Sequence, residues 1–283
     1  MKITAAVSRG TGDAPSLEEL ELEAPRPGEM RVRLVATGIC HTDLHEHPGR
    51  HSPQPIVLGH EGAGVVEELG EGVSGFEVGD HVILSGNSCG RCPSCLANRP
   101  TYCDLAMPLC FGGQRLDGST SLEGGKVHSH FFGQSSFATH CLVPQRTAVK
   151  MDEDLPLEKL GPLGCGVVTG AGGVIEALKV GYGDTIAVFG VGGVGLSAVM
   201  AARLVGAKRI VAVDLVPERL ERVRAKRDDS AVAASLAALR EAAAGDENLM
   251  PHLIEVARVS ASEGEIVGAL QEVFGKYRET PVF

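Results

Sequence analysis

The sequence predicts a mixed α/β protein with a β-rich N-terminal domain, the beginning of a doubly wound parallel sheet and a helical tail. Short strand-like stretches broken by glycine and proline fill the chain up to about residue 150. A glycine-rich turn then stands between a strand pattern and a helix pattern, and from residue 228 onward only helical periodicity is found. We therefore expect domains at 1–163, 164–222 and 223–283.

The N-terminal domain is predicted from its alternating and β-branched segments. Residues 30–39 (MRVRLVATGI) alternate between apolar and polar side chains, and residues 56–70 carry β-branched residues interrupted by glycines. Residues 76–84 contain a Gly-Asp turn before another short strand. Many short strands with such punctuation favour a barrel-like unit. The polar, glycine-rich residues 104–136 are expected to be looped.

The second domain is predicted from alternation of strand and helix patterns. Residues 164–180 are expected to form a helix, Thr185–Phe189 a strand, Val194–Val205 a helix and Arg209–Val213 a second strand. Pro217 is expected to open another helix, since proline is well tolerated in the first turn. This order is the first β-α-β unit of a doubly wound sheet.

The tail is predicted to be three amphipathic helices. Asp246 is expected to cap the second helix, and Ser262 with Glu265 to form a capping box for the third. Each helix has one apolar face, made respectively of Val232, Leu236 and Leu239, of Leu249, Leu253 and Val256, and of Ile266, Leu270, Val273 and Phe274.

Composition narrows the function. The formal net charge of -10 argues against a nucleic-acid partner or an anionic membrane surface. The uncharged stretch 185–202 approaches membrane-spanning length, but its glycines favour a buried strand, turn and helix. The N-terminal residues lack the apolar core of a signal peptide, so a cytoplasmic location is expected. In that reducing compartment, the eight cysteines are expected to be metal ligands or free thiols.

Four cysteines at short spacing predict a structural zinc site. Cys89, Cys92, Cys95 and Cys103 follow the pattern C-x2-C-x2-C-x7-C. Thiolates at two-residue separation can surround one tetrahedral ion, and four protein ligands leave no open position. The alternative is a set of unrelated thiols in a loop, which this spacing in a reducing compartment disfavours.

A glycine-rich turn predicts dinucleotide binding. Residues 190–195 (GVGGVG) fit G-x-G-x-x-G between a strand and a helix, where Gly190, Gly192, Gly193, Val194 and Gly195 would approach a pyrophosphate. This motif alone is weak, but Asp214 ends the next strand nineteen residues after Gly195. A carboxylate there accepts from a ribose 2′-hydroxyl and disfavours a 2′-phosphate, so NAD is expected.

Residues 1–222 resemble the zinc-containing medium-chain dehydrogenase/reductase family, which includes the alcohol dehydrogenases. GHEGAGVVEELG matches the family's zinc signature, and the four-cysteine segment matches its structural zinc lobe. FFGQSSFATH and GPLGCGVVTGAGGV are most similar to the benzyl- and aryl-alcohol dehydrogenase branch. The resemblance implies a GroES-like catalytic domain, an incomplete Rossmann domain, two zinc ions per chain and NAD. It further implies oxidation of small primary alcohols, aromatic ones included. The resemblance is also compatible with a homo-oligomer.

The resemblance implies the ligands of a second, catalytic zinc. Cys40, His60 and Cys165 would bind this ion, with water or substrate in the fourth position. Taken singly, each would more often be a buried thiol or a satisfied histidine. Asp43 and Glu61 would orient or tune the metal site, although for each an ordinary loop charge is the alternative.

The resemblance also implies roles in proton transfer and cofactor binding. Thr42 would take the alcohol proton and pass it, by way of the cofactor ribose, to His45. His41 would lie near the pyrophosphate and Thr169 near the nicotinamide. Four residues receive no such role: we expect solvated loop histidines at His47 and His51 and buried small hydrophobic residues at Cys110 and Cys141.

The resemblance changes near residue 223. Residues 223–283 resemble the C-terminal end of the large subunit of methylmalonyl-CoA mutase, a helical segment in that family, and the further strands of a Rossmann domain do not follow residue 222. One hypothesis is therefore an alcohol dehydrogenase impaired by its incomplete cofactor domain. The other is a non-catalytic zinc-binding fragment, or a chimeric product with a helical interaction tail. Mutase activity is not expected.

Overall fold

The computed structural model describes residues 1–214, 216, 228–245, 247–259, 261 and 263–275. The chain divides into two compact units, Met1–Val168 and Thr169–Phe283. The predicted helix start at Pro217, cap at Asp246 and capping box at Ser262 lie outside the described residues. The predicted division into three domains stays a prediction.

Two antiparallel sheets form the first unit. A five-stranded sheet has the order β7-β3-β5-β6-β8, and a three-stranded sheet has the order β2-β1-β4. The strands are β1 (Lys2–Ser8), β2 (Ser16–Glu21), β3 (Glu29–Thr37), β4 (Ile56–Val57), β5 (Gly62–Leu69), β6 (His81–Leu84), β7 (His140–Pro144) and β8 (Ala148–Met151). The β-rich prediction for the N-terminal domain is thus confirmed.

The alternation predicted in residues 30–39 sets the faces of β3. Met30 and Val32 are fully buried against the apolar residues of β5, β6 and β7. Arg31 and Arg33 lie on the opposite face, where they form ion pairs with glutamates of β5. A strand with period two can bury one face only in this register. Cys141 of β7 belongs to the same core, as expected for a small hydrophobic residue.

The prediction of a loop over residues 104–136 is wrong in two places. Helix α3 spans Ala106–Phe111, and a 3-10 turn spans Phe131–Gly133. The aromatic rings explain the order: Phe111 and Phe131 meet edge to face at 5.9 Å, and Phe131 is fully buried. Cys110 is buried in the same helix, as expected.

A largely buried ion pair fixes the rest of this segment. The guanidinium of Arg115 donates to both carboxylate oxygens of Glu29, at 2.6 and 2.9 Å. Burial would raise the pKa of Glu29, but the hydrogen bonds and charge of Arg115 lower it overall. The two residues are 86 positions apart, so no local sequence pattern indicates the contact.

Replacing Arg115 by leucine should destabilise the first unit by about 3 kcal/mol, because the buried carboxylate of Glu29 loses its partner. The measurement is the free energy of unfolding in denaturant. The control Arg9→Leu removes an exposed arginine paired with Glu18 and should cost less than about 1 kcal/mol. Equal costs for the two variants would show that the buried pair is not important.

The short helices of the first unit carry site residues. They are α1 (His41–Glu46), α2 (Pro93–Leu96) and α3, and 3-10 turns occur at Pro100–Tyr102, Gln145–Thr147, Leu157–Lys159 and Gly161–Gly164. Helix α4 (Gly166–Gly172) follows, and a π-helical turn, Gly173–Ala177, extends it. The predicted helix over 164–180 is thus found, although with irregular ends.

In the second unit, a parallel pair of strands flanks helix α5 (Gly193–Leu204). Strand β9 (Thr185–Phe189) pairs in parallel with β10 (Arg209–Val213), and both strands have the predicted bounds. Ile186 and Val188 of β9 pack against Ala201 and Ala202 of α5. The predicted β-α-β unit is therefore confirmed.

Three helices of the tail share an apolar cluster: α6 (Asp229–Ala244), α7 (Leu249–Arg258) and α8 (Glu263–Phe274). Leu239 and Val256 are fully buried in it, in agreement with two of the predicted faces. The prediction for Phe274 is wrong, since its side chain is 64% exposed. Phe274 is the last residue of α8 and lies at the edge of the apolar stripe. None of the described helices has the length and apolar character needed to cross a membrane.

Candidate metal centres and cofactor turn

The four predicted zinc-lobe cysteines come together. The sulfurs of Cys89, Cys92, Cys95 and Cys103 lie within 4.8 Å of one another. The Cys89 and Cys95 sulfurs are 3.9 Å apart, close to the edge of about 3.8 Å expected for a tetrahedron with Zn–S near 2.3 Å. All four are free thiols. The donor type and the spacing both fit a zinc ion.

Backbone amides prepare this cluster for a cation. The N–H groups of Arg91 and Cys92 stabilise a thiolate at Cys89 and lower its pKa to about 6. Desolvation and the neighbouring cysteine sulfurs raise the pKa of Cys95 to about 11. Four thiolates cannot coexist without a counter-charge, so a bound cation would resolve this conflict and release protons.

A second cluster brings together residues far apart in sequence. Ligand atoms of Cys40, His60, Glu61 and Cys165 lie within 4.8 Å of one another. The sulfur of Cys165 lies 3.3 Å from Nε2 of His60 and 4.0 Å from the sulfur of Cys40. The arrangement fits a zinc ion, because two sulfurs and one imidazole nitrogen are soft or borderline donors and a carboxylate lies beside them.

Asp43 organises the second cluster from behind. One carboxylate oxygen accepts from the Cys40 N–H at 2.9 Å, and the other lies 2.9 Å from Nδ1 of His60. Asp43 is 2% exposed. A carboxylate on the far nitrogen fixes the ring and leaves Nε2 directed at the cysteines.

The protonation of the cluster also favours a cation. Burial would lower the pKa of His60, but the hydrogen bonds to Asp43 and Cys165 raise it to about 10. Burial would raise the pKa of Cys40, but the backbone and hydroxyl of Thr42, together with His60, lower it overall. A metal cation bound to Nε2 of His60 would displace a proton from that nitrogen.

Glu61 approaches the cluster over a glycine. An added Cβ at Gly38 would overlap the Glu61 carboxylate, so a larger residue there would have to displace that side chain. Glu61 is 5% exposed, and one of its oxygens accepts from the Gly166 N–H at 3.3 Å. Glu61 thus lies close enough to the cluster to be a metal ligand itself. The sequence predicted only that it would orient or tune the metal site.

Helix α1 positions the predicted relay residues. Thr42 and His45 are three residues apart and therefore neighbours on the helix surface. The Thr42 hydroxyl lies 3.8 Å from the Cys40 sulfur, and the His45 side chain is 41% exposed. The pair thus runs from the cluster to solvent. His41, the first residue of α1, is exposed.

The prediction of solvated loop histidines after α1 is confirmed for His51, whose side chain is 57% exposed, and is wrong for His47. His47 is half-buried, and its Nδ1 lies 2.7 Å from the Ser8 hydroxyl. His51 is more exposed, but its Nδ1 lies 2.8 Å from a carboxylate oxygen of Glu46. Glu46 itself was not singled out from the sequence, although it is 1% exposed. Its only sequence signal was an acidic residue at the end of a helix rich in histidine.

The glycine-rich turn has the form needed for a dinucleotide. Gly190 directly follows β9 and has a φ of 88°, and α5 begins at Gly193 with Gly192 as its N-cap. An added Cβ at Gly195 would overlap the backbone carbonyl of Gly190, so glycine is required for the close turn. The N-terminus of α5 thus directs backbone N–H groups toward the turn.

A groove of about 600 Å³ lies over this turn. Its lining includes Phe189 and the residues that the sequence predicts for cofactor binding: Thr169, Gly190, Gly192, Gly193, Val194 and Gly195. Asp214 supports the same turn, since one oxygen accepts from the Val191 N–H at 2.7 Å and the other from the Val216 N–H at 2.9 Å. The groove and turn fit a nucleotide in shape and in hydrogen-bond donors.

Two protein families match different parts of the chain. Residues 26–153 match the family described as "Alcohol dehydrogenase GroES-like domain", and residues 211–276 match "Methylmalonyl-CoA mutase". The second match begins within β10, earlier than residue 223, where the resemblance was expected to change.

Similar proteins include a geraniol dehydrogenase of Castellaniella defragrans, 50% identical over 213 residues, which are 74% of this chain and 57% of that protein. Benzyl alcohol dehydrogenase from Acinetobacter calcoaceticus is 42% identical, with a TM-score of 0.76 over 85% of this chain and 67% of its own. An alcohol dehydrogenase zinc-binding domain protein from Burkholderia ambifaria is 50% identical, with a TM-score of 0.76 over 78% of this chain and 61% of its own.

A β domain that carries cysteine and histidine clusters, followed by a turn of the dinucleotide-binding type, is typical of the class of medium-chain dehydrogenases. The chain belongs to the zinc-containing alcohol dehydrogenase family. It spans 57% of the length of the geraniol dehydrogenase that it matches.

Proposed function

We propose that this chain is a zinc- and NAD-dependent oxidoreductase that transfers hydride between a small primary alcohol, aromatic alcohols included, and NAD. The observation that carries the proposal is the convergence of Cys40, His60 and Cys165 around one point, with Asp43 behind them. Zinc held by these residues would supply Lewis acidity that favours ionisation of an alcohol, and bound NAD would supply a hydride acceptor. The names of the relatives support the substrate class.

The residues of the chain have separate tasks in this proposal. Cys40, His60 and Cys165 hold the metal, and Glu61 adjoins them as a carboxylate that can enter or leave the ligand set. The Thr42 hydroxyl would accept the proton of the substrate hydroxyl while donating its own proton onward, and His45 at the outer end of the relay would release one proton to solvent. The ring of Phe132 stacks on His60 at 4.5 Å, which restricts the imidazole and keeps water from that face.

The second unit supplies cofactor binding in this proposal. The N–H groups at the start of α5 receive the pyrophosphate, and Thr169 lines the same groove. The role expected for His41 near the pyrophosphate stays a prediction. Asp214 is proposed to select NAD through the ribose hydroxyl.

The test is to purify the chain, measure zinc per chain and follow NAD reduction with benzyl alcohol and geraniol. We expect two zinc ions per chain and measurable oxidation of at least one of the alcohols. Thr42→Ser keeps a hydroxyl and should retain most of the activity, whereas Thr42→Val should lose at least about a hundredfold. Zinc without any oxidation at saturating NAD would contradict the enzymatic part.

A second candidate function is a non-catalytic zinc-binding protein with a helical interaction tail. It is favoured by the described part of the second unit, where two parallel strands are accompanied by a three-helix cluster similar to a mutase segment. A two-stranded sheet is a marginal support for a cofactor. Calorimetric titration with NAD separates the candidates, since absence of binding at millimolar NAD favours this one.

Replacing Asp214 by asparagine should weaken NAD binding by about tenfold, since a hydrogen bond to a charged group is lost. NADP binding should improve relative to NAD because the repulsion of a 2′-phosphate is removed. Both dissociation constants can be measured by calorimetry. The control Asp184→Asn changes an aspartate that accepts from the Gly181 N–H in a turn before β9 and should leave the NAD-to-NADP ratio unchanged. An unaltered ratio in Asp214→Asn would contradict the assignment.

A further inference from the structure

A third group of metal-type donors lies at the C-terminal end of α1 and involves neither thiolate cluster. One nitrogen from His45, one from His51 and a carboxylate oxygen of Glu46 lie within 4.8 Å of one another. We propose that these three residues form a further binding site for one divalent transition-metal ion, either Cu²⁺ or Zn²⁺. The site goes beyond the proposed dehydrogenase function and does not depend on it.

Glu46 is held in place as an anchor for this site. One of its oxygens accepts from the backbone N–H groups of His51 and Ser52, at 3.1 and 3.0 Å. The other oxygen faces both imidazoles and lies 3.1 Å from Nδ1 of His45 and 2.8 Å from Nδ1 of His51. Two fixed backbone donors therefore leave a single oxygen aimed at the point between the rings.

The charge of this anchor suits a cation. Burial would raise the pKa of Glu46, but the hydrogen bonds from His51, His45 and the backbone lower it to about 2. The carboxylate is therefore ionised at neutral pH. The Glu46 side chain is 1% exposed and one of its oxygens faces two imidazoles, so a divalent ion there would offset the buried negative charge.

The two rings are preset in position and open on one side. Their planes stack at 15° with centroids 5.6 Å apart, and the edge of Phe111 supports His51. Side-chain exposures of 41% for His45 and 57% for His51 leave room for water as a fourth ligand. For ligands at 2.0–2.1 Å, a tetrahedral edge is about 3.4 Å, so the oxygen-to-nitrogen separations of 3.1 and 2.8 Å must widen by about 0.3 and 0.6 Å.

The donor set selects the type of ion. Two imidazoles and one carboxylate suit copper, zinc and nickel, whereas calcium and magnesium require oxygen ligands. A metal ion at this site would bind the imidazole nitrogen of His45. If the proposed proton transfer through His45 holds, occupation of the site would also slow it.

The experiment is a calorimetric titration of the purified full chain with Cu²⁺, without alcohol or NAD, for wild type, His51→Gln and His252→Gln. His252 is a matched control because its ring lies 3.2 Å from Glu247, and no third metal-type ligand joins this pair among the residues that the structure describes. We expect wild type and His252→Gln to take up one more Cu²⁺ than His51→Gln, or to bind it at least about tenfold more tightly. Electron paramagnetic resonance of the added Cu²⁺ should show two nitrogen ligands.

Equal stoichiometry and affinity in wild type and His51→Gln would overturn the proposal. So would a copper spectrum dominated by sulfur ligands, since it would place the added ion in a thiolate cluster. Because the titration needs no turnover, failure of the dehydrogenase proposal leaves this test intact. Conversely, an active enzyme without the extra copper ion would contradict only the third site.

Discussion

Replacing Cys92 by serine is expected to remove one metal ion per chain and to destabilise the first unit by several kcal/mol. The segment that holds this cysteine buries little apolar surface of its own: Leu96 is 75% exposed and Tyr102 71% exposed. It contains only the short α2 and one 3-10 turn. Cohesion must therefore come from the four sulfurs and the ion that they bind.

The matched control for this variant is Cys110→Ala. Cys110 is buried, and its sulfur donates to the Asn87 carbonyl at 3.7 Å, outside the four-cysteine cluster. This variant should cost stability through a small cavity but keep the full metal content. Metal analysis after dialysis and the thermal unfolding midpoint separate the two effects. Full metal retention in Cys92→Ser would refute the structural zinc assignment.

The parts of the fold that could be predicted from sequence are those encoded locally. Periodicity placed β9 and β10 at their observed bounds, and the glycines of residues 190–195 located the turn. The four-cysteine cluster was equally visible, because its ligands lie within fifteen residues of chain.

Contacts between distant residues could not be predicted in the same way. The pair of Arg115 with Glu29 depends on how β3 meets a segment 86 residues later. The network of Glu46 with His51 depends on backbone N–H groups that turn toward a buried carboxylate. Composition gives no indication of either. The candidate catalytic ligands Cys40, His60 and Cys165 are similarly distant from one another, and only the family resemblance brought them together before the structure did.

Replacing Cys165 by alanine is expected to remove the other metal ion and to lower the rate of NAD-dependent alcohol oxidation by at least about a thousandfold. Cys165 lies 3.3 Å from His60 Nε2 and 4.0 Å from the Cys40 sulfur, so its loss opens one side of the candidate metal site. The stability of the first unit should change little, because Cys165 is only half-buried and follows the 3-10 turn Gly161–Gly164.

The control Cys141→Ala removes a thiol in the core of β7, where burial raises the pKa to about 12 and keeps the sulfur protonated. It should keep both metal ions and its activity while losing stability, the reverse of Cys165→Ala. Metal content, unfolding midpoint and initial rate therefore distinguish a ligand from a core residue. If Cys165→Ala kept both metal ions, the three-ligand assignment would be wrong. If it lost one ion while wild type showed no oxidation, the metal site would stand without the dehydrogenase activity, as the non-catalytic alternative requires.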